Sequence, residues 1–238
     1  MVEWESTRAL SGIWRTFPCL WVNHPGAQEE AEHKIYQLEI ARQAGLNVPL
    51  TLVTNDPDAV KAFYQTCSGK IIYKLIDEAS ARYFPAHEVP RGLPTLPFRK
   101  VDIKHLDQVR FSLHLFQERI EKTLDLRVTV IGREIFAAAI HSQEGTGKLD
   151  WRLDYSVPHK IHQLPDDVAE ACLSVLLRLG LNFGAIDLCM DAEGKYYFLE
   201  INPAGQYLWL EEQLGLPLSK ELARLLSGLT RPLSQGMF

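Results

Sequence analysis

The stretch 198–206, FLEINPAGQ, places an acid and an amide two positions apart at the end of an apolar strand. Side chains of a strand alternate between its two faces, so Glu200 and Asn202 point the same way. Pro203 and Gly205 then end the strand, because both residue types are characteristic of turns and proline has no backbone N–H to donate. An acid and an amide on one face of an apolar strand raise the question of what they bind.

A second acid lies across the turn that precedes this strand. The sequence FGAIDLCM carries Asp187 among apolar residues, and DAEGK connects it to the next strand as a hairpin. A two-residue turn at 193–194 places Asp187 opposite Glu200, whereas a four-residue loop at 191–194 places it opposite Phe198. Either loop keeps the two acids and the amide on one face of the hairpin.

Two carboxylates and one amide on a single face suit a magnesium ion. Mg²⁺ prefers oxygen ligands, uses one or two carboxylates, and takes its other ligands from water and phosphate groups. Like charges that face each other across strands are unfavourable unless something lies between them. The alternative is that Asp187, Glu200 and Asn202 are polar edge residues that face solvent, which is the commoner origin of an isolated acid-x-amide pattern.

Composition and charge narrow the class of protein. The chain has 238 residues, 46% hydrophobic and 23% charged, which is typical of a globular protein. The net charge is −5 and the basic residues are scattered, so no nucleic-acid partner is predicted. No apolar run could span a bilayer and no signal peptide is recognisable, so we predict no membrane partner and a cytoplasmic location. Cys172 and Cys189 lie in apolar runs and are predicted to be buried thiols.

Hydrophobic periodicity and turn residues predict a mixed α+β fold in which antiparallel hairpins dominate the second half. The predicted helices are at 28–44, from Asn55 or Asp56 to about 67, at 166–180 and from Ser219 onward. The predicted strands are at 49–54, 69–76, 110–120, 126–131, 134–142, 185–190 and 196–202. No complete element is predicted in 1–24, and 76–104 are predicted to be a long loop or a mobile hairpin.

If the metal holds phosphates, cationic partners are expected elsewhere in the chain, and four side chains are candidates. Lys74 ends the apolar strand KIIYK, where a charge is costly without an anion, although a strand-end lysine that reaches solvent explains it equally well. Lys34 interrupts the first predicted helix. Arg127 begins a strand and Arg152 lies in LDWRLDY; arginine forks suit phosphate oxygens, and ordinary ion pairs are the alternative.

Taken in chain order, these segments resemble the ATP-grasp superfamily. The elements that carry the resemblance are Lys34, Lys74, LFQERIE (115–121), DLRVTVIGREIFAAAI (125–140), DWR (150–152), FGAIDL (183–188) and LEINPAGQYLWLE (199–211). The likeness is strongest to the graspetide ligases, which cyclise ribosomally made peptides such as microviridins. That branch is resembled especially by VNHPGAQEEAEHKIYQLEIARQAGLNVPLTLVTNDP (22–57), EINPAGQYLW (200–209) and GLPLS (215–219).

The resemblance implies an ATP-grasp fold, in which two α/β lobes with mainly antiparallel sheets clamp ATP between them. It implies a central lobe at 25–116 and a C-terminal lobe with the metal site at 117–238. Members of this branch usually carry a further N-terminal lobe, and residues 1–24 look like its remnant or a linker to it. The apolar surface left by a missing lobe is expected to favour a homodimer or poor solubility.

The resemblance implies ATP and Mg²⁺ as cofactors and gives roles to the four cations. Lys34 and Lys74 match lysines that hold the nucleotide phosphates. Arg127 and Arg152 match catalytic arginines that face the transferred phosphate and the acyl phosphate. A glycine-containing phosphate loop is not identifiable, because 76–104 contain a single glycine.

The metal and base-binding residues are implied in the same way. Asp187, Glu200 and Asn202 match the family's magnesium ligands. In the family, the segment between the lobes contacts adenine, and its last residue binds the ribose hydroxyls. The matching residues here are Gln117, Glu118, Arg119, Ile120 and Glu121.

The function that the resemblance implies is an ATP-dependent carboxylate–amine or carboxylate–hydroxyl ligase that acts through an acyl phosphate. Its expected partner is a precursor peptide with a leader segment, in which it forms side-chain esters or amides. One alternative is a ligase of the same superfamily that adds free amino acids such as glutamate. A non-catalytic module that binds a nucleotide or a peptide is the other.

Overall fold

The structure, a computed structural model, describes residues 2–76 and 95–234. Within these ranges the chain forms seven α-helices, nine strands and three 3-10 helices. The α-helices are α1 (Val2–Trp14), α2 (Pro25–Ala31), α3 (Lys34–Gln43), α4 (Pro57–Thr66), α5 (Asp166–Arg178), α6 (Leu208–Leu214) and α7 (Leu218–Leu226). The strands are β1 (Thr51–Thr54), β2 (Ile71–Lys74), β3 (Leu96–Phe98), β4 (His114–Glu118), β5 (Lys122–Ile131), β6 (Glu134–Ile140), β7 (His159–His162), β8 (Phe183–Asp191) and β9 (Tyr196–Asn202). The 3-10 helices span Lys100–Phe111, Ser142–Glu144 and Trp151–Leu153.

The larger sheet has five strands in the order β7-β6-β5-β8-β9, and all neighbouring strands are antiparallel. Its central strand β5 is buried on both faces. Val128 and Val130 point to one face of the sheet, and Arg127 and Thr129 point to the other. One face is therefore hydrocarbon. The other, called the polar face below, is polar at Arg127 and Thr129 but ends in an apolar region, where Ile131 packs with α6 and α7.

The apolar face packs under α3 and α5 and forms the main core of the protein. Helix α5 contributes Cys172, Val175 and Leu176, whose side chains are fully buried. Cys172 and Cys189 are both buried free thiols, as predicted. Burial of this face removes hydrocarbon from water and stabilises the fold, whereas part of the opposite face carries polar side chains.

The smaller sheet has the order β1-β4-β2-β3 and is also antiparallel. Ile71 and Phe116 pack with α4 in a separate core on one face. Ile72 pairs with Gln117 in the register between β2 and β4, so both point away from α4, and Lys74 shares their face. Lys74 and Gln117 of the second sheet therefore point away from its core with α4.

The helix predicted over 28–44 is in fact two helices, α2 and α3. The backbone of His33 is extended (φ −76°, ψ 100°), and α3 begins anew at Lys34. The side chain of Gln37 donates a hydrogen bond to the carbonyl of Ala31, the last residue of α2 (2.6 Å). A long-range contact thus supports the break, which helical periodicity alone does not reveal.

The prediction that 1–24 contain no complete element is wrong, because α1 forms there. Ser6, Thr7 and Gly12 have low helix propensity and hide the helical pattern in the sequence. The helix has little to pack on, since Trp4 is 70% exposed.

Two further predictions about strands and loops need correction. Residues 100–111, part of which was predicted as a strand, form a 3-10 helix, and β4 is restricted to His114–Glu118. Part of the loop predicted over 76–104 is β3, an edge strand that accommodates Pro97, while residues 77–94 of it lie outside the described residues. Strand β7 and helix α6 were not predicted, because HKIH lacks apolar alternation and α6 is only two turns long.

The architecture confirms the mixed α+β class with antiparallel sheets. In the part of the chain that the structure covers, none of the helices combines the length and the apolar character needed to cross a membrane.

Candidate active site

The hairpin of β8 and β9 brings the two predicted acids face to face. Asp187 lies directly opposite Glu200, and Ala185 lies opposite Asn202. The connecting loop has three residues, 192–194, because Asp191 N–H donates to the Lys195 carbonyl (3.1 Å). A bulge at Leu199, between the pairs Leu188–Phe198 and Asp187–Glu200, then restores the pairing that a two-residue turn would have given. Bulges of this kind often re-aim side chains beside active sites.

A row of charged residues crosses three strands of the polar face. Arg127 on β5 lies opposite Asp187 on β8, which lies opposite Glu200 on β9. The Arg127 Nη1 atom is 3.0 Å from Asp187 Oδ1, and both side chains are more than nine-tenths buried. The Nε atom of Arg127 has no hydrogen-bond partner among the described residues. The pair is therefore a buried ion pair with unused donor capacity, as an anion-binding arginine requires.

The loop after β9 closes over this arginine. The Arg127 Nη2 atom lies 3.5 Å from the Gln206 carbonyl. A Cβ on Gly205 would come within 2.4 Å of the Ala185 Cβ and 2.7 Å of Arg127 Nη2, so only glycine fits there. Asn202 is exposed at the strand end, and its Oδ1 accepts from Ala204 N–H (2.9 Å), which holds the carboxamide in an Asx turn.

Glu200 is surrounded by cations from separate elements. Lys34, at the start of α3, and Arg152, in the Trp151–Leu153 3-10 helix, each lie 3.5 Å from one of its carboxylate oxygens. Lys74, at the end of β2, lines the same cleft. Among the described residues no carboxylate lies within ion-pair distance of Lys74, although the charge of Glu200 acts on it.

The titration of these groups follows from burial and from the charges around them. Burial raises the pKa of Asp187, and the nearby charge of Glu200 adds to the rise, while Arg127 opposes it. Burial would also raise the pKa of Glu200, but Lys34, Lys74 and Arg152 together lower it. Burial lowers the pKa of Lys74, although Glu200 opposes the change. The surrounding cations thus favour the charged form of Glu200, whereas burial disfavours the charged forms of Asp187 and Lys74.

Arg152 is oriented by its neighbour Asp150. Its Nε and Nη2 atoms lie 2.9 and 2.8 Å from the two oxygens of Asp150, a bidentate pair. Burial favours the neutral acid, but hydrogen bonds from Arg152 and from the Thr95 N–H lower the pKa of Asp150 to about 2. The hydrogen bond to Asp150 raises the pKa of Arg152 further. Asp150 thus fixes the direction in which Arg152 faces the cleft.

The sequence interpretation missed a second buried network at the floor of the cleft. Lys122 Nζ lies 2.7 Å from Asp125 Oδ1 and 3.1 Å from the Leu149 carbonyl. Ser142 Oγ donates to the other oxygen of Asp125 (2.6 Å). Asp125 precedes Arg127 by two positions on the same face of β5, and this alternation was the signal that could have identified it.

The five residues predicted to read adenine and ribose lie on β4 and the turn after it. Gln117 is buried on the cleft side of the smaller sheet and donates to Thr51 Oγ1 (3.0 Å), while its Oε1 lacks a partner in the described ranges. Glu118 accepts from Leu50 N–H (3.3 Å), and Arg119 N–H donates to the Lys70 carbonyl. Glu121 is exposed and pairs with Lys70 at 2.8 Å. Ile120, the remaining residue of the set, lies in the turn between β4 and β5.

The donor set at the polar face fits magnesium. Two carboxylates stand directly opposite each other with an amide two residues further along β9, and among the described residues Arg127 and Lys34 form ion pairs with the two carboxylates. Across residues 2–76 and 95–234, no group of three histidine, cysteine, aspartate or glutamate side chains is arranged for a metal ion. Two carboxylates with few other protein ligands suit an ion that takes its remaining oxygens from water and phosphate.

Comparison with known proteins identifies relatives along nearly the whole chain. No family model matches the sequence. The probable alpha-L-glutamate ligase of Enterobacter sp. (strain 638) is 22% identical over 222 residues, which are 91% of this chain and 69% of that protein. The RiPP-associated ATP-grasp ligase of Chryseobacterium gregarium, solved in complex with ADP and a leader and core peptide, is 28% identical with a TM-score of 0.89, covering 100% of this chain and 72% of that one.

Two macrocyclases from Microcystis aeruginosa MRC are more similar in sequence. MdnC, solved with its precursor peptide MdnA, is 34% identical with a TM-score of 0.82, and the match covers 94% of this chain and 69% of that chain. MdnB is 33% identical with a TM-score of 0.73, covering 93% and 68%. This identity and coverage confirm the fold expected from the sequence: the chain belongs to the ATP-grasp ligases, enzymes that use ATP to form carbon–nitrogen or carbon–oxygen bonds.

Proposed function

We propose that this protein joins side chains within a ribosomally synthesised precursor peptide, using ATP and Mg²⁺ and an acyl-phosphate intermediate. The observation that carries the proposal is the row Arg127–Asp187–Glu200 with Lys34 and Arg152 converging on its end. Supporting it, MdnC and MdnB are called macrocyclases, and MdnC was solved with a precursor peptide.

The cations of the cleft have separate tasks in the first step. A carboxylate of the peptide attacks the γ-phosphorus of ATP, the bond to the β-phosphate oxygen breaks, and ADP leaves. Lys34 and Lys74 hold the phosphate oxygens, and Arg127 and Arg152 neutralise charge on the phosphoryl group as it moves. Catalysis of this kind depends on positioning and electrostatics rather than on covalent help from the protein.

The metal ligands in this proposal are Asp187, Glu200 and Asn202. A magnesium ion held there would neutralise phosphate oxygens during transfer. Arg127 and Lys34 now compensate the two carboxylates and would be released toward phosphate when the metal takes their place.

In the second step a hydroxyl or amine of the same peptide attacks the acyl carbon. The carbon–oxygen bond to phosphate breaks, inorganic phosphate leaves, and the attacking group loses its proton. The product is an ester or an amide, and each bond removes one water from the peptide. In this proposal Arg152, whose direction Asp150 fixes, holds the leaving phosphate.

The similarity to a probable glutamate ligase supports a second candidate, the addition of free amino acids. Both reactions convert ATP to ADP and phosphate, so nucleotide assays do not separate them, but intact mass does. Cyclisation makes the peptide lighter by one water per bond, whereas amino-acid addition makes it heavier by one residue per catalytic turnover.

The test incubates the protein with ATP, Mg²⁺, a leader-bearing precursor peptide rich in Thr, Ser, Lys, Asp and Glu, and free glutamate. We expect lighter peptide species that are absent without ATP and with Glu200→Gln. A ladder of heavier species would contradict the macrocyclase proposal. An unchanged peptide with nucleotide bound to the protein would instead indicate a binding module.

A further inference from the structure

Strand β9 is an edge strand, so the main-chain groups on its outer side have no neighbouring strand. One residue with outward main-chain groups is Ile201, which lies between Glu200 and Asn202. The side chain of Gln37 in α3 bonds to both groups: Ile201 N–H donates to Gln37 Oε1 (3.0 Å), and Gln37 Nε2 donates to the Ile201 carbonyl (2.9 Å). A single side-chain amide thus takes the place of a neighbouring strand at this residue.

The same amide ties two helices to the strand. Its second Nε2 hydrogen bonds to the Ala31 carbonyl at the end of α2, so the whole hydrogen-bonding capacity of the NH₂ group is used. Gln37 is 3% exposed. Lys34 lies one turn earlier on α3, and its ammonium group is 3.5 Å from Glu200. One turn of helix therefore carries both the cation that faces Glu200 and the amide that holds the next residue.

A buried amide is an expensive choice for a helix that packs on a core. Leu38 and Ala41, its neighbours on α3, are buried among hydrocarbon. An amide is tolerated in such a place only when its polar atoms are all bonded, whereas an apolar side chain has no such requirement. Gln37 meets that requirement at the residue between two candidate metal ligands, so its position favours a role in the site.

We propose that Gln37 is a positioning residue of the metal–nucleotide site. By fixing the main chain at Ile201 it sets the directions of Glu200 and Asn202, and by anchoring α3 it keeps Lys34 against Glu200. The proposal rests on the proposed function, in which those residues hold the metal and the phosphates. Groups that orient metal ligands in this way commonly change metal affinity when they are removed.

The test compares Gln37→Met, which keeps the length of the side chain but removes the amide, with the unaltered protein. The readout is the binding of Mn²⁺ in the presence of ADP, followed by electron paramagnetic resonance, alongside the melting temperature. We expect the affinity for Mn²⁺ to fall about 10- to 100-fold. Gln37→Asn keeps the amide on a shorter side chain that no longer reaches Ile201, and it should weaken Mn²⁺ binding as well.

The matched control is Asn47→Ala, at the other end of the same edge strand. The Asn47 side chain donates to the Tyr196 carbonyl (2.9 Å), so its removal also costs β9 an outer hydrogen bond, but far from the acids. We expect this variant to have a lower melting temperature but to bind Mn²⁺ and ADP as the unaltered protein does. Equal loss of metal affinity in the Gln37 and Asn47 variants would show a general stabilising role and overturn the proposal.

Glu200→Gln separates this inference from the function on which it rests. If Glu200→Gln leaves Mn²⁺ binding unchanged, the proposed metal site is wrong. If Glu200→Gln abolishes binding but Gln37→Asn binds like the unaltered protein, the metal site stands and the positioning role of Gln37 is refuted. Should Gln37→Met fail to fold, Gln37→Asn decides between the two results.

Discussion

The two faces of the five-stranded sheet share their strands but differ in chemistry. Ile186 and Leu188 point into hydrocarbon under α5 and are fully buried, whereas Asp187, between them, faces the cleft and pairs with Arg127. A shift of one residue along β8 therefore exchanges a packing role for an electrostatic one. Substitutions at adjacent positions should therefore separate effects on stability from effects on chemistry.

The largest effect is expected for Glu200→Gln on the polar face. The change removes the negative charge that faces Lys34 and Arg152 but almost no volume. We expect the rate of ATP-dependent peptide modification to fall about 10²- to 10³-fold, because charge stabilisation at the transferring group is lost. The circular dichroism spectrum should be unchanged, and an undiminished rate would remove Glu200 from the site.

The next largest effect, a loss of stability and not of rate, is expected for Leu188→Ala on the apolar face. The side chain is fully buried, and its truncation leaves a cavity next to α5. The free energy of unfolding should fall by about 2–5 kcal/mol, measured by urea denaturation. The folded fraction should keep its rate at saturating substrate. A variant that stays stable but loses activity would show that the two faces are not separable.

A smaller effect is expected for Gly205→Ala, at the loop that closes over the polar face. The added methyl group meets Ala185 and Arg127, so the loop or the arginine must shift. We expect a loss of about 1–3 kcal/mol in stability together with a reduced rate. Gly12→Ala in α1 is the control, because its Cβ meets nothing within 4 Å and stability should not fall.

The smallest effect is expected for Lys74→Met on the cleft face of the other sheet. Loss of one phosphate-binding charge should weaken ADP binding in the presence of Mg²⁺ by about tenfold, or about 1.4 kcal/mol. Because burial already lowers the pKa of this lysine, its removal should not reduce the melting temperature. Lys61→Met, on the exposed surface of α4, should leave ADP affinity unchanged; calorimetric titration of both variants measures the difference.

The sequence predicted the face of the sheet that carries the site better than it predicted the elements around it. Period-two alternation placed Glu200 and Asn202 on one face and Asp187 beside them, and the structure has that arrangement. The connecting loop differs from both predictions, because it has three residues. A bulge at Leu199 then restores the register that a two-residue turn would have given. A bulge depends on pairing between strands, which local sequence does not reveal.

The features that the sequence did not reveal are those set by long-range contacts. The break between α2 and α3 depends on Gln37, whose hydrogen bonds reach residues of β9 far along the chain. Alternation with Arg127 places Asp125 on the polar face, but its bond to Ser142, on a separate element, is visible only in the structure. Local propensity predicts which helices and strands form, whereas tertiary contacts determine where those elements end.

The balance of charges at the polar face affects how a metal and a nucleotide would bind there. The cleft and its buried row contain five cations and four carboxylates among the described residues, namely Lys34, Lys74, Lys122, Arg127 and Arg152 against Asp125, Asp150, Asp187 and Glu200. The net positive charge repels a free divalent cation, whereas the phosphates of a nucleotide reverse the balance. Metal and nucleotide should therefore bind together.

The most direct test of the account is Mn²⁺ binding to the unaltered protein, measured by electron paramagnetic resonance with and without ADP. The account predicts no saturable binding of Mn²⁺ alone, binding of about one equivalent or more once ADP is added, and loss of that binding in Glu200→Gln. Tight Mn²⁺ binding without nucleotide, or ADP affinity that is the same with and without metal, would contradict the claim that this face is a metal–nucleotide site.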